Sequence, residues 1–160
     1  ELAGPWDVVL TVQEESSFFR ALIIGIMKMI LNVILIPIVT ALGGDVGDVN
    51  GELDKFTFVG STITYQMELR KSEDNDGVYA GPITYVGSES DLVEGNEDLQ
   101  SVRLEVVKGR IVIYGIGVDE YGNRVEITFL NNGKMIDEGT ITGTFSFPGV
   151  MSGEWQALKR

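Results

Sequence analysis

The sequence predicts an all-β fold: an antiparallel up-and-down barrel with one apolar α-helix inserted after the first strand. Three observations carry this. From Leu53 onward hydrophobicity repeats every second residue, in short runs separated by tight-turn residues. Before that lies a nearly unbroken apolar run, Phe18 to Leu42, whose early part favours helix. Before the run, Trp6, Val8, Leu10 and Val12 share one face of a strand.

Each element follows in order. Gln13 to Ser17 breaks the first strand, and Ser16 or Ser17 suits a helix N-cap, with Glu14 and Glu15 near the positive helix end. Ala, Leu, Met and Lys up to Leu31 favour helix. Val33 to Val39 is β-branched and holds Pro37, which predicts a kink near Ile36. Gly43-Gly44 ends the helix, so the insertion is expected at about 16–43. Phe56 and Phe58 then alternate with Lys55 and Thr57. Ile63, Tyr65, Met67 and Leu69 form the cleanest strand, followed by Val78–Val86, Val102–Val107, Ile111–Val118 and Val125–Leu130. A short piece around Met135, Thr140–Phe147 and Glu154–Leu158 complete a meander of eight to ten strands. Asn75-Asp76-Gly77, Lys108-Gly109, Tyr121-Gly122-Asn123, Asn132-Gly133 and Pro148-Gly149 supply the turns. Closure removes exposed edges. The one long polar connection, Gly87 to Gln100, reads as a mobile acidic loop at the barrel mouth. Nothing marks a second domain, so residues 1–160 form a single unit.

Composition narrows the function. A formal charge of −12 argues against nucleic acid, which needs a clustered basic face. His and Cys are absent. That removes Ser-His-Asp and Cys-His catalysis, thiolate chemistry, and zinc or haem held by these ligands. No cofactor is expected. Asp45, Asp48, Asn50 and Glu52 lie close together, but counted from Asp48 no Glu stands at the twelfth place of a calcium loop. Asp74-Asn75-Asp76-Gly77 also lacks a closing Glu. Both read as turns. Glu68, Glu105 and Glu126 fall on polar strand faces, and among 24 acidic residues any nearby pair arises by chance, so no enzyme signal rises above background.

The two ends of the chain carry a resemblance. Gly4-Pro5-Trp6-Asp7-Val8-Val9-Leu10 opens it. Ile141-Thr142-Gly143-Thr144-Phe145 and Gly149-Val150-Met151-Ser152-Gly153-Glu154-Trp155-Gln156-Ala157, with Arg160, close it. These resemble bacterial exported lipocalin-like (calycin-type) β-barrel domains. The resemblance covers the two termini, and the family's usual first hairpin is replaced by the apolar segment. It implies that an Arg160 cation packs over the Trp6 indole and closes the barrel. It also implies a secreted, periplasmic or cell-surface protein. A start at Glu1 without Met reads as a trimmed or mature form whose leader is gone.

The helix then poses the functional question. Ser17, Arg20, Lys28 and Asn32 occupy one third of its circumference, and the rest is Leu, Ile, Met and Val. Packing across the barrel mouth as core is one expectation, and a lid over a ligand is another. A membrane span is weakened by Lys28, Asn32 and Pro37. An interfacial or oligomeric helix is a further alternative. The inward strand positions are Trp6, Val8, Leu10, Ile63, Tyr65, Met67, Leu69, Val102, Leu104, Val106, Val125, Ile127, Phe129, Phe145 and Trp155.

The function expected is binding of a small hydrophobic or lipid-like ligand in a barrel interior capped by the helix. The candidate lining is Trp6, Val8, Leu10, Ile26, Met29, Tyr65, Met67, Leu104, Val106, Phe129, Phe145 and Trp155. One alternative is a structural module that associates through the helix, either with a second copy or with a membrane surface. The other is a cofactor-free barrel isomerase or cyclase. If the helix is core, an Asp at Ile26 or Leu31 strands a buried charge and costs several kcal/mol, of the order of 3–5.

Overall fold

A computed structural model describes residues 1–45, 47–88 and 99–160. Among these, eight strands pair in chain order and close into a barrel: β1 (Gly4–Glu15), β2 (Thr62–Lys71), β3 (Val78–Ser88), β4 (Leu99–Val107), β5 (Arg110–Val118), β6 (Arg124–Asp137), β7 (Thr140–Phe147) and β8 (Met151–Lys159). Every pairing is antiparallel, and β1 against β8 makes the closure. This is the up-and-down barrel that the two-residue period predicts. Closure leaves no unpaired edge to blunt. The Lys108-Gly109 turn shows the local cause: both residues have positive φ, 51° and 77°, and Val107 pairs with Arg110. A two-residue turn of that hand matches the strand twist.

Between β1 and β2 stand α1 (Ser17–Ile30), a π-helical turn (Leu31–Leu35), α2 (Ile36–Ala41) and α3 (Val49–Asp54). Ser16 caps α1, its hydroxyl accepting from the Phe19 N–H at 3.3 Å. Such a cap is worth about 1 kcal/mol. Pro37 has no N–H for the Val33 carbonyl, and the chain answers with the π turn, in which the Ile36 N–H donates to the Leu31 carbonyl five residues back. The break expected near Ile36 is thus a widened turn inside a helix that continues to Ala41. Gly43, at φ +79°, ends it, with Gly43 N–H to Thr40 O at 3.0 Å and Gly44 N–H to Val39 O at 2.9 Å. That pair of bonds satisfies the last carbonyls.

Several boundaries differ from the sequence reading. Phe56 and Phe58 belong to no strand. They follow α3, which Asp48 caps through the Gly51 N–H. Asn132-Gly133 is not a hairpin turn, because β6 runs through it, with Asn132 at φ 50° and a register shift between Asn131 and Lys134. The extra residue of a bulge bends the strand where a turn would end it. Gly87 and Ser88 extend β3, and Leu99 and Gln100 open β4. The acidic stretch 89–98 lies outside the described residues.

The interior is a filled apolar core. Trp6, Val8, Leu10, Ile63, Tyr65, Met67, Leu69, Val102, Leu104, Phe129, Phe145 and Trp155 are all buried, as expected, joined by Ile111, Ile113, Ile141 and Ala157. Trp155 explains two glycines. A Cβ at Gly143 would stand 2.5 Å from its Nε1, and one at Gly133 would stand 2.8 Å from its ring edge. Its indole N–H is shared between the carbonyls of Asn131 and Thr144, each at 3.1 Å. Near the start of β1 the Trp6 indole donates to the Leu2 carbonyl at 2.9 Å.

The cation over the Trp6 ring is Lys159, at 5.6 Å from the ring centroid, and not Arg160. Alternation decides this. Trp6 pairs with Lys159, whereas Arg160, one residue on, reaches Asp7 at 3.2 Å.

Candidate functional site

The odd-numbered strands end, and the even-numbered strands begin, at one rim, from which the whole helical insertion projects. Its attachment is local. Phe19, Ile23 and Phe56 pack on the core, where Phe58 is fully engaged. The Phe19 and Phe56 rings lie 5.9 and 4.9 Å from that of Phe58. Polar bonds complete the joint. Arg20 Nε donates to the Phe56 carbonyl at 2.8 Å and Nη2 to the Asp54 carbonyl at 2.7 Å. Lys28 Nζ meets Asp54 at 2.6 Å, and the Asn32 and Asn50 amides bond reciprocally at 3.0 Å. The polar third of the helix read from the sequence is therefore its inward, α3-facing side.

The apolar remainder is turned to the outside. Ile24 and Leu31 are the buried residues of the helix, with Met27, Ile36 and Val39 half-buried along the same seam. The step from Leu31 to Ile36 is five residues. The π turn adds the one residue that keeps Ile36 and Val39 on that seam. Phe18, Leu22, Ile26, Met29, Ile30, Val33, Ile34, Leu35, Ile38 and Leu42 are exposed. Both helix expectations for Ile26 and Met29 are thereby corrected. At 44% and 59% exposed they line no interior and bury in no core. An Asp at Ile26 meets solvent, while one at Leu31 meets a buried seam. The reason lies in the strands: the barrel fills its own interior and leaves no apolar sheet face for a helix this wide.

Three strand positions also depart from expectation. Val106, Val125 and Ile127 keep the inward alternation but stand near the barrel ends, where they are 38%, 40% and 43% exposed. Val125 and Ile127, with Leu99, Gly115, Gly117 and Val118, wall a cleft of about 220 Å³ at the helix rim. The glycines make its room, since a Cβ on Gly115 would come within 2.5 Å of Leu99 Cδ2. Sequence alternation marked Val125 and Ile127 but could not find Leu99, which falls inside the polar connection read as a loop, or the glycines, which have no side chain to signal a face. The larger groove, about 600 Å³, runs along the outside of β1, β7 and β8 past Thr11, Thr142, Thr144 and Gln156. It is the polar outer face of the sheet.

The acidic positions have structural employment. Asp45 accepts from the Gly47 N–H at 3.0 Å, Asp48 caps α3, and Glu52 pairs with Lys55 at 3.0 Å. Asp76 pairs with Lys71 at 2.9 Å. Glu105 and Glu126 both bind Arg103, whose guanidinium lies 4.5 Å over the Tyr114 ring on the outer face. Glu68 stands 3.9 Å from Arg70.

Two features therefore bear on function: a 25-residue helix, Ser17–Ala41, long and apolar enough to cross a membrane by length and composition, and a small apolar cleft on the same rim. No family model, curated protein or solved structure matches the chain, so these two features carry the functional reading themselves.

Proposed function

We propose that this domain is a closed β-barrel that attaches to a membrane surface through the outward face of its inserted helix. The carrying observation is that nine large apolar side chains on one helix, and Leu42 at its C-cap, are exposed, while both of its charges, Arg20 and Lys28, are tied to the protein. At about 1 kcal/mol for each half-exposed side chain, covering that face is worth roughly 10 kcal/mol before the cost of binding. A second copy of the chain is the weaker occupant. A helix–helix seam is a narrow stripe flanked by charges, and this face is broad and uncharged.

Topology supports an in-plane helix rather than a span. β1 and β2 are neighbours in one barrel, Thr11 opposite Thr62, so both ends of the insertion return to the same side. A single crossing by the helix would force residues 42–61 to cross back, carrying Asp45, Asp48, Glu52, Asp54 and Lys55. Each such charge costs about 2.5–3.5 kcal/mol at mid-bilayer. Lying flat, the helix sinks its outer face about 5–10 Å into the boundary of headgroups and acyl chains.

Co-sedimentation with phosphatidylcholine vesicles tests this. The wild-type chain should pellet with lipid. Ile26→Asp should stay in solution with its thermal stability kept, because Ile26 faces outward. Absence of wild-type binding, or equal binding by Ile26→Asp, overturns the reading. A dimer in lipid-free solution that Ile26→Asp dissolves would assign the face to a second copy.

Binding of a small apolar ligand is a second reading, favoured by the rim cleft of Leu99, Gly115, Gly117, Val125 and Ile127. Its place is the mouth, since the interior positions proposed for it are packed by side chains.

A further inference from the structure

We infer that the lipid surface taken by this helix is an uncharged one, and that anionic lipid opposes attachment. The inference rests on the reading of the helix as a membrane element and adds the class of lipid. In-plane helices of this kind ordinarily combine apolar burial with free Lys and Arg that attract anionic headgroups. Here each cation of the insertion already has a partner on the insertion or at its joint with the barrel. Arg20 is held by two carbonyls and stands 3.3 Å from Glu15, Lys28 is held by Asp54, and Lys55 by Glu52.

The charge left on the helix rim has the opposite sign. Among the described residues, Glu14 at the rim end of β1, Asp45 and Asp48 on the insertion, and Asp119 and Glu120 in the turn after β5 stand against Arg124 at the start of β6. Arg70, Lys71, Lys108, Arg110, Lys159 and Arg160 lie at the far end of the barrel. A barrel is about three Debye lengths long at ordinary salt, so those distant cations are screened from the bilayer, and the rim acids are not. Apolar burial alone then drives attachment, and the negative potential of an anionic surface works against it.

Vesicle partitioning at two ionic strengths tests this. Phosphatidylcholine vesicles should bind the chain with an affinity that changes less than about twofold between about 0.05 and 0.5 M NaCl. Replacing about one third of the lipid by phosphatidylserine should weaken binding about tenfold at the lower salt, and added salt should restore it. Glu14→Gln with Asp45→Asn should recover part of that loss and leave binding to phosphatidylcholine unchanged. Equal or tighter binding to the serine lipid at low salt overturns the inference while attachment stands. Failure to bind either vesicle overturns the attachment itself.

Discussion

Glu15, the last residue of β1, stands 3.3 Å from the guanidinium of Arg20 one turn into the helix, and this pair fastens the insertion to the barrel. The same carboxylate accepts from the Thr57 hydroxyl at 2.8 Å and the Phe58 N–H at 2.7 Å, so both ends of the insertion converge on it.

Glu15→Ala should cost about 1–3 kcal/mol, because it leaves the Phe58 N–H and Arg20 without their carboxylate. The loss should be local. In hydrogen exchange the Phe58 amide should open faster, while amides of β7 and β8 keep their protection. Uniform loss of protection across the barrel would show that Glu15 supports the whole fold and not the joint.

Filling the interior separates core from rim. Val8→Phe should destabilise by about 1–3 kcal/mol, since Val8 is fully buried in a packed core. Val106→Phe should change stability by less than about 0.5 kcal/mol, as Val106 is 38% exposed near the barrel end. Urea denaturation of the two variants checks this. A neutral Val8→Phe would reveal interior room.

Gly143→Ala should be among the most damaging single-methyl additions, because the new Cβ meets both the Trp155 indole, at 2.5 Å, and the Asn131 carbonyl, at 2.8 Å. A cost of about 1–3 kcal/mol is expected, with a shift in Trp155 fluorescence as the indole gives up its two carbonyl partners. A stable Gly143→Ala chain with unchanged emission would show that the tryptophan is not clamped there.

The turn after β5 carries a pH dependence. Asp119 accepts from the backbone N–H groups of Asn123 at 2.7 Å and Tyr121 at 2.9 Å, and these bonds hold its carboxyl below the usual carboxylate range. A lowered folded-state pKa means that the turn is stabilised above the unfolded carboxyl value. That stabilisation is lost as pH falls through the folded value. Carboxyl-carbon NMR titration should place Asp119 below an exposed Asp control, with the Asn123 amide shifting in step. A normal midpoint would remove the carboxylate from the turn.

Much of the barrel was legible because its information is local. Ile63, Tyr65, Met67 and Leu69 alternate so strictly that only one face of β2 can be inward, and the Lys108-Gly109 turn is specified by two residues. The polar break after β1 and the Gly pair after Leu42 bounded the helix for the same reason. Phe56 and Phe58 misled, since alternation over three residues also fits a coil whose aromatic side chains return to the core. Arg160 misled in a related way. A motif gives the residue type at a chain end, but the β1–β8 register puts Lys159 over Trp6.

By itself, then, the sequence determined an antiparallel meander of eight to ten strands with one wide apolar helix after the first, because periods of two and 3.6 residues and turn chemistry are properties of neighbouring residues, and the closed pairing set the number at eight. Which side of that helix meets the protein was decided only in three dimensions. The interior is closed and filled by its own strands, and Glu15, Asp54 and Asn50 come together to take the polar stripe of Arg20, Lys28 and Asn32. An apolar pattern reports that a face avoids water, but whether a core, a ligand or a bilayer covers it depends on the space the rest of the chain leaves.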